Sequence, residues 1–138
     1  MAKSRNKRGF TLMELMAVVI IIGILAAIVV PNYVRHVETA KINTTKAQIK
    51  DIETALGLFK MDSGRYPTAA EGLMGLVQKP GDFSGSWPKD GYLPKVPKDG
   101  WSRDFVYLCP GAKGSYDIIS YGADGKEGGE DENADIAN

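Results

Sequence analysis

Between Asp124 and Asp135 the chain carries Asp124, Glu127, Glu130, Asp131, Glu132 and Asp135, with Asn133 among them and Lys126 as the sole base. Gly125, Gly128 and Gly129 lie between these side chains and let a backbone turn back on itself. Hard oxygen donors at this density suit calcium, which takes about six to eight oxygens, backbone carbonyls included. An EF-hand loop does not fit. Counted from Asp124, Gly129 and Asp135 fall at the right places, but Lys126 and Gly128 stand where the third and fifth ligands belong. The same residues also read as a solvated acidic tail, and at this level both readings stand.

Glu14 attracts notice through its setting. Residues 10–30 have Thr11 and Glu14 as their only polar side chains, and 15–30 are all apolar or glycine. A run of this length matches the roughly 20 residues that cross a bilayer as a helix. An ionised carboxylate within it costs about 2.5 kcal/mol or more at mid-membrane, so Glu14 needs a partner. Before the run stand Lys3, Arg5, Lys7 and Arg8 with no acid. An ordinary secretory signal would be cut beyond its apolar core after small residues, and Leu25, Ala26, Ala27, Ile28, Val29 and Val30 offer no such pattern. A cut between Gly9 and Phe10 instead frees an amine one helical turn from Glu14. Within one subunit the carboxylate then also sits at the favourable end of the helix dipole. Between subunits the same pair would set the axial stagger of neighbouring helices. The basic flank places the N-terminus in the cytoplasm and the rest of the chain across the membrane.

The remaining chemistry is sparse. Cys109 is alone, which excludes an intrachain disulfide and clustered Cys/His zinc sites, and it reads as a small buried apolar residue. His36, the one histidine, has no visible catalytic partner and reads as solvated. No nucleophile with a nearby base can be named and no nucleotide-binding loop is present, so neither an enzyme nor a small-molecule substrate is expected. The 17 basic and 17 acidic residues balance, but four bases lie in the first nine residues; without them 13 bases face 17 acids. An acidic chain with no basic stripe does not suggest nucleic-acid binding.

These groups must be carried by few elements. Over residues 32–61, Ile49, Ile52, Leu56 and Phe59 recur at helical spacing, while Lys41, Lys46, Gln48, Lys50, Asp51 and Glu53 fill the other faces. This is the amphipathic continuation of the apolar helix, with Pro31 kinking or locally melting one long helix, and Asp62, Ser63 and Gly64 stop it. Thr68 and Glu71 form a capping box for a short helix to about Val77. Residues 79–91 read as a loop, and 105–108 with 116–121 as a hairpin around Pro110 and Gly111. Tyr92 and Leu93 are read as a short third strand. The fold class is α+β, an N-terminal helix packed on a small antiparallel sheet.

The stretch Lys7, Arg8, Gly9, Phe10, Thr11, Leu12, Met13, Glu14, Leu15 resembles the class III leader of type IV pilins and pseudopilins. The likeness continues through Gly64, Arg65, Tyr66, Pro67 and Thr68, Gly72 and Leu73, and Gly91, Tyr92 and Leu93. It goes on with Pro97, Asp99 and Trp101, Pro110 and Gly111, and 120–125. Over nearly the whole chain the pattern is similar to the major pseudopilins of type II secretion. Two departures stand out. The family's usual Asp-Pro-Trp-Gly is Asp99, Gly100, Trp101, Ser102 here, and the Trp often found near the family's end is missing.

The resemblance implies a type IV pilin-like fold with a C-terminal calcium loop, and three regions: 1–9 a leader removed by a prepilin peptidase, 10–30 a transmembrane and filament-core helix, 31–138 a periplasmic domain. Gly9 would precede the cut, Phe10 become the methylated N-terminus, and Glu14 serve assembly. Calcium (Ca2+) would be held by the carbonyls of Tyr121 and Lys126 and the side chains of Asp124 and Asp135, with Asp131 and Asn133 as candidate further ligands. The implied function is the major subunit of a periplasmic filament, a homopolymer that grows from the bacterial inner membrane and drives export across the outer membrane. Its partners would be minor pseudopilins and the inner-membrane assembly platform, with a cytoplasmic ATPase supplying energy. A type IV pilin of a surface fibre, and a monomeric membrane-anchored calcium-binding module, are the alternatives.

Overall fold

The structure, a computed structural model, describes residues 9–138, so the leader bases Lys3, Arg5, Lys7 and Arg8 lie outside the described residues. The order of elements is a helix α1 (Leu12–Ser63), a 3-10 helix (Gly72–Leu76), strands β1 (Val106–Leu108) and β2 (Asp117–Ser120), a second 3-10 helix (Asp131–Asn133) and β3 (Ile136–Ala137). The chain divides into two compact units, Met1–Val37 and Glu38–Asn138.

In the first unit, Thr11 and Glu14 start α1 and Pro31 lies within it. The backbone stays helical at Pro31, so the local melting expected there does not occur; next to it the Asn32 side-chain amide donates to the Ile28 carbonyl at 3.4 Å. The apolar residues of this half are exposed, and its most apolar 18-residue window has a mean hydropathy of 2.9 with none of it buried. By length and composition this half can cross a membrane.

The second unit holds the core. Ile49, Ile52, Leu56 and Phe59 are buried as their spacing predicts, joined by Ala55, and they pack with Leu73, Leu76, Phe83, Phe105 and Ile118. Burying such side chains contributes about 1.5–3 kcal/mol each relative to exposure. The helix ends where Gly64 adopts φ 79° and its N–H donates to the Lys60 carbonyl at 2.8 Å, a left-handed C-cap. The capping box forms reciprocally, Thr68 N–H to Glu71 Oε2 at 2.7 Å and Glu71 N–H to Thr68 Oγ1 at 3.2 Å. It does not open an α-helix to Val77. Gly72 takes φ 59°, which breaks the α backbone, and only the 3-10 helix Gly72–Leu76 follows.

The hairpin is present, antiparallel, with Val106 opposite Ile119 and Leu108 opposite Asp117. The third strand is β3, pairing Ser120 with Ile136 and Ile119 with Ala137, and not Tyr92 and Leu93. Those two residues give both backbone N–H groups to one acceptor, the Leu76 carbonyl, at 2.8 and 3.1 Å, and so follow the 3-10 helix rather than a sheet edge. The loop over 79–91 is pinned by aromatics. Phe83 meets Phe59 edge-on at 5.1 Å, Trp87 meets both Phe83 and Tyr92 at 5.1 Å, and the Tyr92 hydroxyl donates to Asp62 at 2.7 Å. Cys109 is half-buried, not fully buried, because it leaves β1 at a surface turn, and His36 is exposed.

Candidate functional site

Glu14 has a partner that the apolar pattern does not suggest. Its Oε2 accepts from the Thr11 N–H at 3.3 Å and from the Thr11 hydroxyl at 3.4 Å, while the Glu14 N–H donates to Thr11 Oγ1 at 3.2 Å. This is a capping box at the first turn of α1, with the carboxylate at the helix end the dipole favours. The signal was available, since Thr11 and Glu14 show the same spacing as Thr68 and Glu71. Gly9 and Phe10 precede the helix and are open to solvent: nothing lies within 4 Å of a Cβ built at Gly9, and Phe10 is 84% exposed.

The acidic C-terminal loop begins where β2 ends. Gly122 turns the chain at φ 62°, buried against the carbonyls of Asn133 and Ala134, where a Cβ would lie within 2.9 Å. The Tyr121 carbonyl then accepts from Gly125 N–H at 3.2 Å, and Asp124 Oδ1 from Lys126 N–H at 3.0 Å. On the return, Glu132 O accepts from Ala123 N–H at 2.9 Å and Asp135 Oδ2 from Gly128 N–H at 2.9 Å. Asp131 takes φ 52° at the start of its 3-10 turn, and with Asp135 it lines a surface hollow shared with Lys46, Ile42 and Ile136.

The loop therefore draws Tyr121, Asp124 and Lys126 into one turn and Asp131, Asn133 and Asp135 into a second, closed on the first. Among the described residues it does not gather three Asp, Glu, His or Cys side chains into one metal-holding group. The donors are nevertheless all hard oxygens, and two of the six, at Tyr121 and Lys126, are backbone carbonyls. Asp124 and Asp135 each spend one carboxylate oxygen on a backbone N–H and keep the other. In chemistry the set fits calcium.

Beneath the loop lies a buried polar network with no local signature in the residue pattern. Asp99 is 6% exposed, and its carboxylate accepts from the N–H groups of Trp101 and Arg103, both at 2.9 Å, and from the Ser120 hydroxyl at 2.7 Å. Gly100 N–H donates to Thr45 Oγ1 at 2.9 Å, and the Thr45 hydroxyl, fully buried on α1, donates in turn to the Lys41 carbonyl at 2.9 Å. A Cβ at Gly100 would lie 2.4 Å from that carbonyl, so glycine lets this loop seat on the helix. Trp101 Nε1 adds a bond to Glu38 at 3.0 Å; hydrogen bonds from Lys41 and Trp101 hold the Glu38 carboxyl below its ordinary value.

Residues 32–138 match the family Type II secretion system (T2SS), protein G, and residues 4–30 match the prokaryotic N-terminal methylation motif. The chain is similar to the type II secretion system core protein G of Pseudomonas aeruginosa, at 49% identity over 97% of this chain and 96% of that one. It is also similar to the protein of the same name from Vibrio cholerae, at 45% identity over 100% and 95%. The crystal structure of the major pseudopilin from the type 2 secretion system of enterohaemorrhagic Escherichia coli aligns with a TM-score of 0.64 at 34% identity, covering 73% of this chain and 84% of that one. With a capped apolar helix, an amphipathic continuation over a three-stranded sheet, and these likenesses along its whole length, the chain belongs to the type II secretion system protein G family.

Proposed function

We propose that this chain is the major structural subunit of a type II secretion pseudopilus, cut between Gly9 and Phe10, methylated on Phe10, and polymerised through α1 into a periplasmic filament that drives export across the outer membrane. The observation that carries this reading is the stretch 12–30 of α1, apolar or glycine at every position except Glu14 and exposed along its length. A helix with no polar face has no soluble core to join; its two suitable surroundings are lipid and copies of itself. Polymerisation moves it from one to the other. The Thr11 bonds use only Oε2 of Glu14, and on this reading Oε1 would accept from the freed Phe10 amine of a neighbouring subunit.

The work is mechanical, with the energy supplied by other components, and the chain acts without catalysis. The partners are copies of itself, minor pseudopilins, the inner-membrane assembly platform and the prepilin peptidase. The second unit occupies the periplasmic side. In the C-terminal loop, Asp124, Asp135 and the carbonyls of Tyr121 and Lys126 would hold calcium, with Asp131 and Asn133 as further donors. Bound there, the ion would neutralise carboxylates that otherwise repel and so favour the closed loop.

The test uses a strain lacking this chain, complemented with wild type or Glu14→Ala, each in a Cys109→Ser background with pairs of cysteines along residues 15–30 for crosslinking. Ladders of crosslinked subunits and restored export with wild type, both lost with Glu14→Ala, are expected. Ladders unaffected by Glu14→Ala would refute the assembly role. Restored surface fibres with no change in export would point to a pilus instead.

A further inference from the structure

We propose that Arg103 is a positioning residue for the C-terminal loop: its guanidinium clamps the 121–125 turn before any ion arrives, so that the Tyr121 carbonyl and Asp124 are presented together. The proposal rests on the calcium reading above and adds to it a residue from outside the acidic segment. Arg103 Nη1 donates to the Gly122 carbonyl at 2.6 Å. The guanidinium also covers Gly125, where a Cβ would lie 2.9 Å from Cζ and 3.0 Å from Nε.

The clamp has a fixed base. Arg103 N–H is held by Asp99 Oδ1 and its carbonyl by Asp99 N–H, both at 2.9 Å. Asp99 in turn is held by Ser120 at the end of β2, and the adjacent Gly100 by Thr45 of α1. The turn it grips contains two left-handed glycines, Gly122 at φ 62° and Gly125 at φ 68°. Glycine turns lose the most backbone freedom on ordering, so an outside tie removes a cost that ion binding would otherwise carry.

Two effects of Arg103 oppose each other. As a cation it repels calcium; as a clamp it pre-orders two ligands. The side chain is exposed, so water and salt screen the repulsion, whereas a charge-assisted hydrogen bond to a carbonyl is a short-range contact that screening does not remove. Pre-ordering therefore prevails, and loss of the clamp weakens calcium binding by roughly tenfold, the scale of one hydrogen bond to a charged group.

The experiment is calcium titration calorimetry on the full chain in detergent, for wild type, Arg103→Ala and Arg103→Lys, with hydrogen exchange of the same proteins in chelator. Binding about tenfold weaker in Arg103→Ala and intermediate in Arg103→Lys, which keeps the charge but only one donor nitrogen, supports the clamp. Faster exchange confined to residues 121–126 in Arg103→Ala supports it without reference to the metal. Wild type that binds calcium while Arg103→Ala binds as tightly or more tightly overturns the proposal and leaves the calcium reading standing. Faster exchange spread through β1 and β2 also overturns it, as the mark of a general structural role. Wild type that binds no calcium overturns the calcium reading and this proposal with it.

Discussion

At the scale of single residues, the chain's two departures from the family's Asp-Pro-Trp-Gly pattern explain themselves in opposite ways. Gly100 has an N–H that proline lacks, and Thr45 accepts it; the pair is a local solution in which the loop sits against the Lys41 carbonyl. Thr45→Val keeps the shape but strands this buried N–H, and is expected to lower stability by about 1–3 kcal/mol, measured by urea unfolding. Ser102, by contrast, sits at φ 64°, a left-handed conformation that glycine takes without strain. Ser102→Gly is expected to raise stability by about 1 kcal/mol in the same assay, because it relieves that strain. Neither effect was legible in the sequence, where the two positions register only as mismatches to a pattern. Glu14 is a different case. Its need for a partner is legible from its apolar neighbours, while Thr11 as that partner is masked in the residue pattern because a capping box within an apolar run has no polar face to mark it.

At the scale of elements, the helical periodicity gave the buried face of α1 correctly, since Ile49, Ile52, Leu56 and Phe59 all enter the core. The hairpin was also legible, because β-branched and aromatic runs flank a proline-glycine turn. The third strand was not. Ile136 and Ala137 form too short a run to stand out, and they become a strand only because β2 offers them an edge. The 3-10 helix was missed as such for a local reason, the positive φ of Gly72. Beside it, Arg65 joins the capping box to the aromatic loop, meeting Glu71 through two bonds of 2.8 Å and Asp82 at 2.6 Å. The Arg65 guanidinium, aided by the Thr68 N–H, holds the Glu71 carboxyl down at about 2. An unfolded glutamate titrates near about 4.3, so this contribution is complete above about pH 5 and is lost as pH falls from there through 2. Glu71→Gln is expected to lower stability at neutral pH by about 1.5–3 kcal/mol and to flatten the acid limb of the stability curve between pH 5 and 2, measured by denaturant unfolding across pH.

At the scale of the whole molecule, the division into two units matches two tasks. The first unit contains the exposed apolar stretch 15–30, suited to lipid and to other copies; the second carries a packed core, a polar network and the acidic loop. The proposed calcium belongs to this scale, because the loop that would hold it closes on the end of β2 and on the approach to β3. The detergent-solubilised chain is expected to melt several degrees higher in excess calcium than in chelator, since an ion that binds only the folded state must raise the midpoint. An unchanged midpoint would remove the metal from the account. On the proposed reading, processing is what ties the chain to assembly, because only a cut before Phe10 would supply the amine that Glu14 would meet between subunits. Intact-mass spectrometry of the membrane-extracted chain tests this most directly. The mass of a chain that begins at N-methylated Phe10 is the predicted result, and an intact chain beginning at Met1 in assembly-competent cells would contradict it.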